Sequence, residues 1–339
     1  MDAPVPLESP RCPVCSHDDY VTVLTNARDQ IWRKPGTFRL QRCTRCDLVA
    51  TRPRPTPESL SFYYEGTYSG ESLEGMRRFQ TESWLGGLVH RYRLAVVSRV
   101  RRLTSDDHVL DVGCSYGGFL RIARTRSGCR TSGIDLDAGT MAQAVDAEVT
   151  DYRTGRLTDV DFEPGTFSVI TFFQSLEHHS EPVAALRRAR ALLKPGGHVV
   201  VEVPNYGGFW RRVFGTAWLP LLIPQHLFHF TPKTLRNILA VAGFTRVERA
   251  QTMFFPLEGT ASLGIWLARL LRTPKFGSPP SWRTPFDLLV GACLVAIYLV
   301  TEWPSQALLH LCGAAGHQII VAERDAEETE STDEAPVAH

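Results

Sequence analysis

Apolar and polar positions along the chain alternate between strand-like and helix-like periods. Short apolar runs at Val109-Leu110-Asp111-Val112, Gly133–Asp137 and Gly165–Phe173 have strand length and end in turn residues. Between them lie stretches of helical spacing. One runs from about Glu82 to Leu103, and one opens at Gly117-Gly118 with Phe119-Leu120. A third, Val183 to Leu193, stops at Lys194-Pro195-Gly196-Gly197. Val199–Val203 is the next strand, with Pro204 and Asn205 at its carboxyl end. Thr231-Pro232 then starts a helix that runs to Gly243, with Thr as cap and Pro in the first turn. Thr245–Glu248 and His317–Ala322 supply the closing strands. Alternation of this kind predicts an α/β fold, a parallel sheet covered by helices on both faces.

Three segments break the alternation. Residues 1–52 hold two Cys-x-x-Cys pairs, Cys12/Cys15 and Cys43/Cys46. Each pair can form a knuckle, and two knuckles complete a closed tetrahedral site, so structural Zn2+ is expected. So short a segment has little apolar core of its own, and a metal is a suitable staple. A stiff proline-rich joint, Arg52–Pro57, leads into residues 53–103, which also hold the aromatic stretch Phe62–Tyr68, read either as a lid or as packing. A domain over 104–324 follows, with an insertion at 253–316. Two apolar helices, Ser262–Leu271 and Asp287–Trp303, are expected within that insertion. They suit burial against the protein, a cap on the substrate site, a homodimer face, or peripheral contact with a membrane through residues 262–303. Residues 325–339 read as an acidic disordered tail.

Bulk composition removes several classes of function. The formal net charge of +1 gives no general electrostatic reason to expect a nucleic-acid partner. Residues 1–10 carry acids and prolines where a secretory leader has an apolar core. The longest apolar run, Leu288–Val300, falls short of the roughly 20 residues of a spanning helix. A cytoplasmic location is the default expectation.

The turn at Asp111–Gly117 carries the chemistry. A strand enters it, a helix leaves it, and a second strand ends in Asp135, placed to take the two hydroxyls of a ribose. Dinucleotides set a pyrophosphate over such a turn, and Asp111 would repel one. A carboxylate there suits a cationic amino-acid end. At these residues the chain resembles the class I S-adenosylmethionine-dependent methyltransferases, whose acid-x-Gly-x-Gly-x-Gly motif matches Asp111, Gly113 and Gly117. Ser115 stands at the middle glycine. Lys194–Gly197, Phe167–Ile170 followed by Leu176-Glu177-His178, and Gln225–Thr231 with Ala242–Phe244 extend the resemblance over roughly 80–324.

The resemblance implies a Rossmann-like seven-stranded methyltransferase sheet with a zinc-binding leader and a helical insertion before the last strand. It implies S-adenosyl-L-methionine as cofactor. Asp111, Gly113 and Gly117 would hold its methionine end and Asp135 its ribose. Leu136 would flank the adenine, and Gln174 would face the methyl donor.

Methyl transfer is an in-line displacement beside a sulfonium, so the protein mainly aligns the acceptor and excludes water. A hydroxyl acceptor needs a base as well. Sequence position offers Glu177, His178, His179, His226 and His229, with His178 first and His226 second. The blander role for each is bracing or packing the loop. A divalent ion near Glu177 assists some related O-methyltransferases, but the single acid argues against one here. O-methylation of a small polar molecule, sugar or glycan, free or lipid-linked, is the leading expectation, with Tyr63, Tyr68, Tyr206, Trp210 and Trp218 as stacking surface. C-methylation of a nucleotide-linked sugar is the alternative. Ribosomal RNA methylation is a third, opposed by Asp18, Asp19, Asp29 and Asp47 among the module's basic residues. A non-catalytic zinc-ribbon interaction protein is a fourth, opposed by the intact Asp111 and Asp135.

Overall fold

The computed structural model describes residues 5–64, 77–78, 81–137, 151–253, 258–270, 293, 296, 300 and 302–326. Its centre is a seven-stranded sheet. In chain order the strands are β6 (His108–Val112), β7 (Arg130–Asp135), β8 (Asp151–Thr154), β9 (Phe167–Phe173), β10 (Leu193–Pro204), β12 (Arg246–Met253) and β13 (His317–Glu323). In space they lie β12-β13-β10-β9-β6-β7-β8. All pairs are parallel except those of β13, which runs antiparallel to both β10 and β12.

Continuous apolar sequence explains the middle of the sheet. Phe167–Phe173 is buried at every position, as a strand covered on both faces must be. Burying each large side chain there contributes ~1.5–3 kcal/mol. The register sets Asp111 beside Gly133 on one side and Thr171 on the other, so the glycine turn and the end of β9 share one edge. The helices fall close to their expected places: Trp84–Val100, Gly118–Ser127, Pro182–Leu192 and Pro232–Val241. Thr231 accepts from the Thr234 amide as a helix cap, a bond worth ~1 kcal/mol.

Five strands have no signal in the sequence pattern, among them the short antiparallel pair β1 (Leu7–Glu8) and β5 (Arg54–Pro55). Asp151–Thr154 has no apolar run to betray it, because it lies at the sheet edge and its side chains are half-buried or exposed. Phe228–His229 (β11) is only two residues long. It pairs antiparallel with β4 (Val49–Thr51), which joins a sheet in the order β11-β4-β3-β2 with β3 (Phe38–Cys43) and β2 (Tyr20–Ala27). The cysteine-bearing segment is thus sewn to the rest of the chain through the residues after His226.

In the insertion, a helix at Glu258–Leu270 replaces the expected Ser262–Leu271. The expected Asp287–Trp303 helix lies almost wholly outside the described residues. Trp303 instead opens a helix to Leu311, with Pro304 in its first turn. Tyr68, the rest of the aromatic stretch after Tyr64, and the tail from 327 also lie outside the described residues. Among those residues no helix is long and apolar enough to cross a membrane.

Candidate active site

The glycine turn is built from backbone that other residues resist. Gly113 sits at φ +79 and Gly117 at φ +70. A Cβ on Gly117 would meet the Tyr152 hydroxyl at 1.8 Å, and one on Gly113 the Ser175 Cβ at 2.5 Å. Ser115, standing where the motif has glycine, also takes a left-handed φ of 47, which accounts for the usual glycine. Its amide donates to Asp135 Oδ2 at 2.9 Å, while Asp135 Oδ1 accepts from the Asp137 amide. The turn and Asp135 are therefore one unit. Leu136 follows at the strand end, 68 % exposed.

Asp111 is buried beneath the turn and accepts from the Thr171 hydroxyl at 2.6 Å. Burial pushes its carboxyl up to about 7, with Asp135 and Glu202 adding to the rise and Arg93 opposing it. A buried acid in that state gains from an arriving cation. Gln174, at φ 56 just past β9, donates from Nε2 to Glu202 Oε1 at 2.9 Å. Glu202 in turn accepts two bonds from the Arg93 guanidinium, at 2.8 and 2.6 Å. Although burial pushes Glu202 up, Arg93 more than offsets it and holds it below the usual carboxylate range. Arg93 also lies over the Phe173 ring at 4.7 Å.

The sequence pattern does not single out Arg93, Glu202 or Thr171, and it marks Tyr64 only as part of the aromatic stretch Phe62–Tyr68. Glu202 was detectable as the one acid inside Val-Val-Val-Glu-Val; Arg93, one arginine among several on its helix, was not.

Glu177, His178 and His226 come together, whereas His179 and His229 turn elsewhere. His178 Nδ1 lies 3.1 Å from the Gln225 carbonyl and 2.7 Å from the Tyr64 hydroxyl. A carbonyl only accepts, so Nδ1 carries the proton and Nε2 keeps its lone pair. His226 repeats the arrangement, with Nδ1 2.8 Å from the Pro220 carbonyl. The two rings meet edge to face at 4.5 Å. His226 Nε2 lies 3.9 Å from Glu177 Oε1. Burial brings His178 down to about 4 and His226 well below its ordinary value, so both imidazoles are neutral at pH 7. Glu177 is fully buried, and neither carboxylate oxygen has a hydrogen-bond partner. Burial raises it to about 8. The three residues offer one ligand atom each within 4.8 Å of one another, enough to hold a metal ion. His179 instead packs edge-on against Phe172, and His229 Nε2 meets the Thr51 hydroxyl at 3.2 Å.

Cys12, Cys15, Cys43 and Cys46 also converge, their sulfurs all within 4.8 Å of one another. Sγ–Sγ distances of 3.4 Å (Cys12–Cys46) and 3.5 Å (Cys15–Cys43) are too long for disulfides, and all four thiols are free. The Cys46 thiol beside Cys12 holds Cys12 down at about 5. Four sulfurs at this spacing fit a closed tetrahedral Zn2+ with no open position.

Comparison with known proteins agrees with this geometry. A family model described as a methyltransferase domain matches residues 67–249, and the chain belongs to that family. The ubiquinone biosynthesis O-methyltransferase of Xanthomonas campestris is 35% identical over 167 residues, covering 46% of this chain and 70% of that one. The enzyme of that name from Nitrosospira multiformis is 29% identical over 188 residues, covering 52% and 78%. Among solved structures, phosphoethanolamine N-methyltransferase 2 of Haemonchus contortus, in complex with S-adenosyl-L-methionine, shares the fold. It superposes with a TM-score of 0.52 at 18% identity, over 87% of this chain and 65% of that one. The protein is an S-adenosylmethionine-dependent methyltransferase of class I.

Proposed function

We propose that the protein methylates oxygen on a small hydroxylated acceptor, a sugar or glycan among the candidates, with His178 as the base. Asp111 receives the ammonium end of S-adenosylmethionine, and Asp135 its ribose hydroxyls. The cofactor supplies an activated methyl group. Gly113 and Gly117 let the backbone approach it, Leu136 flanks the adenine, and Gln174, steadied by Glu202, faces the reacting end. The observation that supports the reading best is the His178 tautomer: the Gln225 carbonyl holds Nδ1–H, which leaves Nε2 to accept the acceptor's proton. His226 and the buried Glu177 stand behind it. Relatives named as O-methyltransferases point to the same atom. The test is methyl transfer from labelled cofactor to fractionated extract, with mass analysis of the product. A methyl group found on carbon or nitrogen would overturn the reading.

A second reading has its own support, the convergence of Glu177, His178 and His226 with an unpartnered carboxylate. A divalent ion held there would lower the pKa of the acceptor hydroxyl directly. Activity lost to a mild chelator and restored by Mg2+, with zinc content unchanged, would favour the ion over the free base.

A further inference from the structure

A cavity of about 280 Å³ lies between the loop joining β2 to β3 and the Glu258–Leu270 helix, outside the cofactor turn. Arg28, Arg33 and Lys34 line it from the loop and Arg269 from the helix. Against these four cations the lining holds one acid, Asp29, whose carboxylate is already committed. Its Oδ1 accepts from the amides of Ile31 (2.9 Å) and Trp32 (3.0 Å), and its Oδ2 from that of Lys34 (3.1 Å). Asp29 therefore shapes the loop.

Arg269 is set in place by neutral groups. It donates from Nε to Gln30 Oε1 at 2.7 Å and from its terminal nitrogens to the Thr216 hydroxyl and carbonyl at 2.6 and 2.7 Å. Gln30 is fixed in turn on the Arg28 carbonyl at 2.8 Å. These contacts orient a guanidinium without neutralising it, the arrangement that suits phosphate oxygens.

The cavity wall also connects, through one short helix, to the proposed base. Lys34 Nζ donates to the Phe62 carbonyl and lies 4.8 Å from the centre of that ring. Tyr63 donates to the Pro35 carbonyl at 2.9 Å. Tyr64, in the same Ser61–Tyr64 turn of helix, meets His178 Nδ1. One short helix thus has the basic loop on one side and the proposed base on the other.

We propose that this cavity binds a phosphate or diphosphate group carried by the methyl acceptor, so that the substrate is a phosphoester. The proposal rests on the methyl-transfer reading above and adds the acceptor's charge. Two measurements on the zinc-loaded full chain test it. Calorimetric titration with inorganic pyrophosphate should show binding that weakens with added salt. Arg28→Glu should weaken it about tenfold or more, the equivalent of one charge-assisted hydrogen bond, with S-adenosylmethionine affinity and zinc content unchanged. No binding, or equal binding by both proteins, would overturn the site. In the extract assay, phosphatase and phosphodiesterase treatment should abolish methyl labelling. Labelling that survives that treatment would show that the anion does not belong to the acceptor, and would overturn this inference while leaving methyl transfer itself standing. Loss of cofactor binding by the wild-type chain would instead sink the methyl-transfer reading.

Discussion

The hydroxyl of Thr51 donates to the backbone carbonyl of His226 across 2.7 Å, although 175 residues separate them. Thr51 closes the strand that follows the second cysteine pair, and its amide also bonds the Leu227 carbonyl at 3.0 Å. The cysteine module therefore braces the loop whose Gln225 and His226 flank His178.

Removing the metal should therefore cost catalysis before it costs the large sheet. We expect one zinc per chain by native mass spectrometry. Cys46→Ser should lower methyl transfer markedly while cofactor affinity changes little, because the turn at Asp111–Gly117 lies on the other sheet. A metal-free protein with full activity would refute the bracing role.

His178→Ala is expected to lower kcat by about 10²-fold or more, with S-adenosylmethionine affinity nearly unchanged. The pH profile gives a second check. A base at His178 would work deprotonated, and burial brings this histidine down to about 4. At saturating cofactor the rate should be flat above about pH 5 and fall as pH drops through about 4. An acid limb near 6.5, the ordinary histidine value, would point to an exposed imidazole instead.

Cofactor affinity should follow Asp111. Its carboxyl sits at about 7, and only the ionised form attracts an ammonium. Below that pH each unit of acidification should weaken binding by at most about tenfold, and above it affinity should level off. Asp111→Asn should bind more weakly and lose this pH dependence, as calorimetry over several pH values would show.

Arg93 and Glu202 form a bidentate pair in the interior. Arg93→Ala leaves a buried carboxylate without its cation, a loss of ~3–5 kcal/mol, visible as a lower Tm. Adding Glu202→Gln should recover part of that stability, since the stranded charge is removed. A double variant as unstable as the single one would show that Arg93 acts through packing alone.

Much of this was legible in the chain because period and punctuation carry it. The strand–turn–helix at Val109–Leu120 and the helix start at Thr231-Pro232 stand where the pattern places them. The two Cys-x-x-Cys pairs do converge, since local knuckles need little help from the fold. Strand Asp151–Thr154 was hidden by its place at the edge, where a polar sequence is tolerated. Histidine chemistry was legible only as a set of candidates. Choosing among His178, His179, His226 and His229 requires knowing what each ring meets: the Gln225 carbonyl for His178, the Pro220 carbonyl for His226, the Phe172 ring for His179 and the Thr51 hydroxyl for His229. Burial then lowered their basicity, which residue type alone does not reveal.

The pairing of Phe228–His229 with Val49–Thr51 has a practical corollary for anyone shortening the protein. Cutting the polypeptide after residue 52 would leave Val49 and Ala50, now buried, on an unprotected strand border. Such borders recruit other strands, so the excised fragment should self-associate even with its metal in place. A version that carries residues 226–230 on a tether would keep that border covered and stay monomeric.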